Sequence, residues 1–208
     1  MAAPETTRAT IYFPGPPADA VRGLIDDLLF LDTGTEDLQQ LRDTVGAVRR
    51  RVAALPSLRD QPRSGWPIDD FSLAERGPYA GRANPVAPPL HFDSLTPTTR
   101  AWAVYGPAYE GRVGDMNGGV VIAAFDDVLG CAQLAGPVSG RTGTMTVRLR
   151  TPSPIGKRID YEGWIERTEG RKVFTRGTAH HGETLLAEAE AIFVAPRSRP
   201  QPAPPIAR

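Results

Sequence analysis

The stretch "NGGVVIAAFDDVLGCAQ", residues 117–133, is apolar or small at almost every position and is broken only by the adjacent acids Asp126 and Asp127. It predicts a helix from Gly118 to Gln133, and a helix this apolar needs cover over most of its surface. The sequence that follows supplies the cover. In "TGTMTVRLRTP" Met145, Val147 and Leu149 share one face, while Thr144, Thr146, Arg148 and Arg150 share the other, the period of a strand. "KRIDYEGWIER" and "RKVFTRGTA" flank the turn "TEG". "HHGE" then leads into "TLLAEAEAIFVA", where Leu185, Ala187, Ala189, Ala191 and Phe193 face one way. Upstream, "TRAWAVYGPAYEG" is rich in β-formers. Strands joined by hairpins make an antiparallel sheet, and the helix must lie on its inner face, so the fold class is α+β.

Ahead of this unit, Val21, Leu24, Ile25, Leu28 and Leu29 fall at amphipathic spacing and predict a first helix. Thr33 and Glu36 resemble a capping box for a second, whose apolar positions Leu38, Leu41, Val45, Val48, Val52 and Leu55 alternate steps of three and four before Pro56 ends it. We expect that stripe to pack on the first helix or on the main domain; a short intersubunit coiled coil is the alternative. From Asp60 to Pro97 prolines crowd in without a period, so an irregular wrap is expected, anchored by Trp66, Phe71, Tyr79 and Phe92. The division is a helical and Pro-rich extension at 1–97, a sheet-and-helix domain at 98–195 and a disordered Pro-rich tail at 196–208.

Lys plus Arg (24) balances Asp plus Glu (24), which gives no global field for nucleic acid or an anionic membrane. Cys131 is the single cysteine, so neither an intramolecular disulfide nor a cysteine-built metal cage is expected, and a cytoplasmic setting fits. His180 and His181 fall in a turn without metal partners, and His91 lies in the Pro-rich segment. No metal and no cofactor are expected.

The acids carry the chemistry. At 100° per residue Asp126 lies at the margin of the bulky face of Val121, Phe125 and Val128, with Asp127 farther from it. Gly118 and Gly119 at the helix start leave backbone N–H groups at the positive end of the dipole, where a polarised carbonyl oxygen gains stabilisation as it becomes an oxyanion. Arg148, Arg150, Lys157 and Arg158, with Arg171 and Lys172 nearby, are candidates for binding phosphates.

Gly-Gly at a helix start, an acid eight residues after the first glycine and four following strands resemble the hotdog-fold thioesterases, in particular the phenylacetate-pathway (PaaI-like) acyl-CoA thioesterases. The resemblance covers roughly residues 101–194. "NGGVVIAAFD" matches the family's His-Gly-Gly…Asp signature with Asn117 where His is usual, and "TGTMTVRLRTPSPIG" is similar to its Thr…Val-Arg-Tyr-Leu-x-Pro strand. It implies an antiparallel sheet wrapped around a long central helix. It also implies an acyl-CoA thioester as substrate, coenzyme A phosphates as those the basic residues would bind, Asp126 as general base or nucleophile, Gly118 and Asn117 at the carbonyl, and Thr142 as the site hydroxyl. "GDMNGG" is also superficially similar to a hydratase motif, but its Pro and His are missing. A non-catalytic acyl-CoA or acyl-carrier binder is the alternative function. Asn117 and Asp126 stand nine residues apart, about 13 Å along the axis and on opposite helix faces. One chain cannot direct both at one thioester, so a homodimer or homotetramer is expected.

Overall fold

The computed structural model describes residues 15–32, 34, 38–57, 77–78, 81–88 and 90–197. Two helices lead, α1 (Gly15–Leu29) and α2 (Leu38–Ala53). Strands β1 (His91–Ser94) and β2 (Thr99–Val104) follow, then a 3-10 turn at Pro107–Tyr109 and a small hairpin of β3 (Glu110–Arg112) and β4 (Asp115–Met116). Next come α3 (Gly118–Gln133), β5 (Arg141–Leu149), β6 (Arg158–Glu169), β7 (Lys172–His181) and β8 (Thr184–Val194). Six strands form one sheet in the order β1-β2-β6-β7-β8-β5, antiparallel at every pairing. The β6–β7 and β7–β8 hairpins turn in two residues each, opening on Gly170 and Gly182 with φ 56° at both, the left-handed backbone that such short turns demand.

Helix α3 lies across the inner face of the sheet, as its apolar composition requires. Val121, Ala124, Phe125, Val128 and Leu129 are buried against Tyr161, Val173, Ala189 and Phe193. The approach is close because Gly163, Gly177 and Ala189 are paired across neighbouring strands and form a row of small residues beneath the helix. A Cβ on Gly163 would stand 3.0 Å from Val128 Cγ1, and one on Gly177 would stand 3.0 Å from Leu129 Cδ2. Below the helix the hydroxyls of Tyr105 and Tyr161 satisfy each other at 2.8 Å, and the Tyr161 ring meets Phe125 edge-on.

Three features of the extension differ from the sequence reading or extend it. Residues 91–94, assigned to an irregular wrap, form strand β1, because Phe92 packs on the core while His91 stacks on Trp102 of β2 at 4.2 Å. Helix α1 is tied to the domain through Arg22, whose guanidinium donates to the carbonyls of Ala87, Arg82 and Asn84, and through Asp26, which accepts from the amide of Ala108. Helix α2 forms as expected but buries none of its residues: Leu41 is half-buried and Leu38, Val45, Val48 and Val52 are exposed, so the described residues leave most of its apolar stripe uncovered. The expected capping pair Thr33 and Glu36, the anchors Trp66, Phe71 and Tyr79, the leader before Gly15 and the tail beyond Arg197 lie outside the described residues.

Candidate active site

Asn117 ends the β3–β4 hairpin in extended conformation, φ −60° and ψ 129°, and its side-chain oxygen accepts from the amide of Gly119 at 2.8 Å. It is the N-cap of α3, a role for which Asn is among the best residues. This corrects the expectation of two free donors: the Gly119 N–H is occupied by the cap. The Gly118 N–H has no partner among the described residues, and it stands at the positive end of a 16-residue helix. The backbone N–H of Asn117 donates to the Tyr109 carbonyl at 2.9 Å, and that of Met116 to the Ser153 carbonyl at 2.8 Å, so the helix start is fixed from two sides.

Asp126, half-buried, accepts a hydrogen bond from Thr142 Oγ1 at 2.8 Å. Strict alternation along β5 would turn Thr142 outward with Thr144 and Thr146. A bulge prevents this: Thr142 pairs with Phe193 and Thr144 with Ile192, so two steps on β5 oppose one on β8. Phe193 belongs to the core, and Thr142 therefore faces the helix. Gly143 occupies the bulge. The side-chain amide of Gln133 adds a clamp, donating to the Gly140 carbonyl at 2.9 Å and accepting from its N–H at 2.8 Å, which joins the end of α3 to the start of β5. The sequence reading missed Gln133 and the bulge; a glycine inside an otherwise alternating strand, as in "TGTMTV", was the signal for the latter.

Asp127 is not the more solvated of the pair. Its Oδ2 is enclosed without a hydrogen-bond partner, and burial first, then the neighbouring Asp126 charge, push its carboxyl from 3.8 up to about 6. The same pocket of low polarity, with Asp127 beside it, pushes the Cys131 thiol up to about 12. A carboxyl that holds its proton more tightly folded than unfolded makes the folded state lose stability as pH rises between those two values. The penalty is absent below pH 3.8 and fully developed above pH 6. Asp127→Asn is therefore expected to stabilise the protein at pH 7.5 by about 1–2 kcal/mol, reduced from the roughly 3 kcal/mol a fully enclosed group would give. At pH 4 it should bring little gain. Urea unfolding at the two pH values measures the difference, and equal gains at both would refute the assignment.

The basic residues separate into two groups. Arg148 and Arg150 project from the sheet face opposite α3, where they pair with Glu190 and Glu188 across the β5–β8 ladder. They do not come together with Asp126. Arg158 is paired with Asp160 and covers the Trp102 ring at 4.5 Å, and Arg171 is bonded to the Ala195 carbonyl. Lys157 is exposed and has no ion pair among the described residues. Its loop is joined to β4, the strand that leads into α3, by the Asp115–Pro154 bridge and by the Ile155 N–H to Gly114 carbonyl bond. His91 lies on the sheet edge opposite β5, and His181 is bonded through Nδ1 to the Arg158 carbonyl. Among the described residues no group of three His, Cys, Asp or Glu is arranged for a metal, and no helix is long and apolar enough to cross a membrane.

No protein-family model matches the sequence. A crystal structure of a thioesterase superfamily protein superposes with a TM-score of 0.76 at 24% identity, covering 86% of this chain and 89% of that one. This chain has the hotdog fold. Coverage that wide exceeds the hotdog core, so the likeness takes in part of the N-terminal extension. Zebrafish thioesterase superfamily member 2 overlays with a TM-score of 0.52 at 13% identity, covering 61% of this chain and 96% of that one. In sequence, acyl-coenzyme A thioesterase THEM4 of Xenopus laevis is 34% identical over 93 residues, 43% of this chain and 41% of the relative. The chain thus spans less than half of that relative's length.

Proposed function

We propose that this hotdog chain is an acyl-CoA thioesterase of the PaaI-like kind, working as a homodimer or a pair of dimers in the cytoplasm. The observation that carries the reading is the Asp126 carboxylate, held by Thr142 midway along the helix whose start presents a Gly118 N–H without a partner among the described residues. Likeness to an acyl-coenzyme A thioesterase supports the substrate class. Two symmetric copies supply the geometry one chain lacks, with Asp126 of one subunit facing the Gly118 N–H of the other. The outer edge of β5 has no partner strand among the described residues, and Leu149 at its end and Ile122 on α3 are 54% and 41% exposed, which suits that edge to a second copy.

In this site the thioester oxygen takes the Gly118 N–H. Asp126 either removes a proton from water, whose oxygen bonds to the acyl carbon, or attacks that carbon itself to give a mixed anhydride that water then opens. In both routes the carbon–sulfur bond breaks and coenzyme A leaves as a thiolate that takes up a proton. Lys157, in the loop joined to β4 and without an ion pair among the described residues, is assigned to a coenzyme A phosphate. Arg148 and Arg150, already neutralised on the far face, are not.

Incubation with a panel of acyl-CoAs and a thiol reagent tests the function. The proposal expects catalytic release of free thiol for at least one acyl group. Ligand-induced thermal shifts without thiol release would instead establish a binding protein, the reading that an Asn117 without proton-transfer chemistry would favour.

A further inference from the structure

We propose that α2 is an intersubunit element: two copies of the helix pair in parallel as a short two-stranded coiled coil. Leu38, Leu41, Val45, Val48, Val52 and Leu55 recur at steps of three and four, the seam of a heptad repeat with Leu38, Val45 and Val52 at the first position and Leu41, Val48 and Leu55 at the fourth. The described residues leave this seam largely uncovered, with Leu41 alone half-buried. Leu38, Val45, Val48, Val52 and Leu55 are 39–61% exposed, and α2 buries no residue of its own. A helix with this stripe gains little stability unless the stripe is covered.

The flanking charges select the occupant and its direction. Arg42 and Arg49 lie on one side of the seam, Thr44 and Arg51 on the other. In a parallel pair Arg49 faces Thr44 of the second copy, and Arg51 faces position 56, a proline, so no like charges meet. An antiparallel pair sets Arg42 against Arg49. Valine at two of three first positions with leucine at two of three fourth positions also favours a parallel dimer. A seam this short is weak by itself, and a dimeric hotdog core would raise the effective concentration of one α2 near the other. That last step rests on the proposed dimer; the heptad and its exposure do not.

The experiment reads α2 alone. Val48→Cys, at the seam, and Arg50→Cys, on the far side of the helix, are placed separately in the full-length chain and mildly oxidised. Both sites are exposed, so folding is not at stake, and the wild type, whose Cys131 thiol is half-buried and poorly ionised, is the blank. Parallel pairing predicts a reducible covalent homodimer for Val48→Cys, forming at least about tenfold faster than for Arg50→Cys because only the seam meets the distance a disulfide needs. Adding Val45→Asp should abolish the bond. Equal rates for the two cysteines, or no bond for Val48→Cys, would overturn the proposal. Linkage only between Val45→Cys and Val48→Cys chains would overturn the parallel arrangement. Failure here leaves thioesterase activity untouched, and loss of activity in an Asp126 variant leaves the cross-link intact, so the two readings fail separately.

Discussion

Asp126→Asn lowers kcat for acyl-CoA hydrolysis by at least about 100-fold, the scale of a lost general base, while the protein folds and assembles as before. Asn keeps the volume and still offers an oxygen to Thr142 Oγ1, which donates to the aspartate from β5. What disappears is the carboxylate, which either route needs. KM should change little, because the thioester carbonyl is held elsewhere. Asp127→Asn, one residue along the same helix, is the comparison: it removes a carboxylate from an enclosed spot away from Thr142, and should move stability far more than turnover. Steady-state kinetics of the two variants beside the wild type check this. Undiminished turnover in a folded Asp126→Asn would remove the carboxylate from the mechanism.

The second large effect is expected from a backbone change. Gly118→Pro deletes the N–H assigned to the thioester oxygen, and the fold should tolerate it. Proline is well suited to the first turn of a helix, where that N–H has no helical partner. Asn117 already has the extended backbone that a residue before proline requires, at φ −60° and ψ 129°. A Cβ at position 118 would meet only Leu149 Cδ1 at 3.0 Å, the end of a half-exposed side chain with room to turn. Loss of one oxyanion donor costs about 10²–10³ in kcat. Gly118→Ala, with the same Cβ and the N–H retained, should stay within about threefold of the wild type, since the donor and its place at the helix end are unchanged. Similar losses for both would show that the space at position 118 matters and its donor does not.

Much of the core was legible because its periods are strong. The apolar run 118–133 and the alternation in β5 and β8 required a helix laid on an antiparallel sheet, and the row Gly163, Gly177, Ala189 shows in hindsight why the helix can sit so low. The site was legible in part. Asp126 and Thr142 are joined as the family resemblance implied, yet alternation alone would have turned Thr142 to the wrong face. A one-residue bulge reverses that, and its position depends on the β8 register, which no local pattern encodes. The enclosure of Asp127 was not anticipated, for a related reason. Angles around an isolated helix describe distance from its own bulky face, but the desolvation of Asp127 comes from what packs on the helix from outside. The pairing of the basic strip was not legible: Glu188 and Glu190 lie about 40 residues beyond Arg148 and Arg150 and meet them only across the β5–β8 ladder. For α2 the heptad was visible, and only the structure could show that the described residues of its own chain leave most of it open.

The central claim is that each site is built from two chains, and the two inactive variants test it together. A chain carrying Gly118→Pro retains Asp126, and a chain carrying Asp126→Asn retains the Gly118 N–H. When the two are unfolded together and refolded in equal amounts, half the dimers are mixed, and in each mixed dimer one site receives both intact groups while the other receives neither. Shared sites therefore predict recovery of up to about a quarter of wild-type activity from two parents that each have almost none. A mixture that forms mixed dimers, verified by mass, yet remains as inactive as its parents would contradict the account.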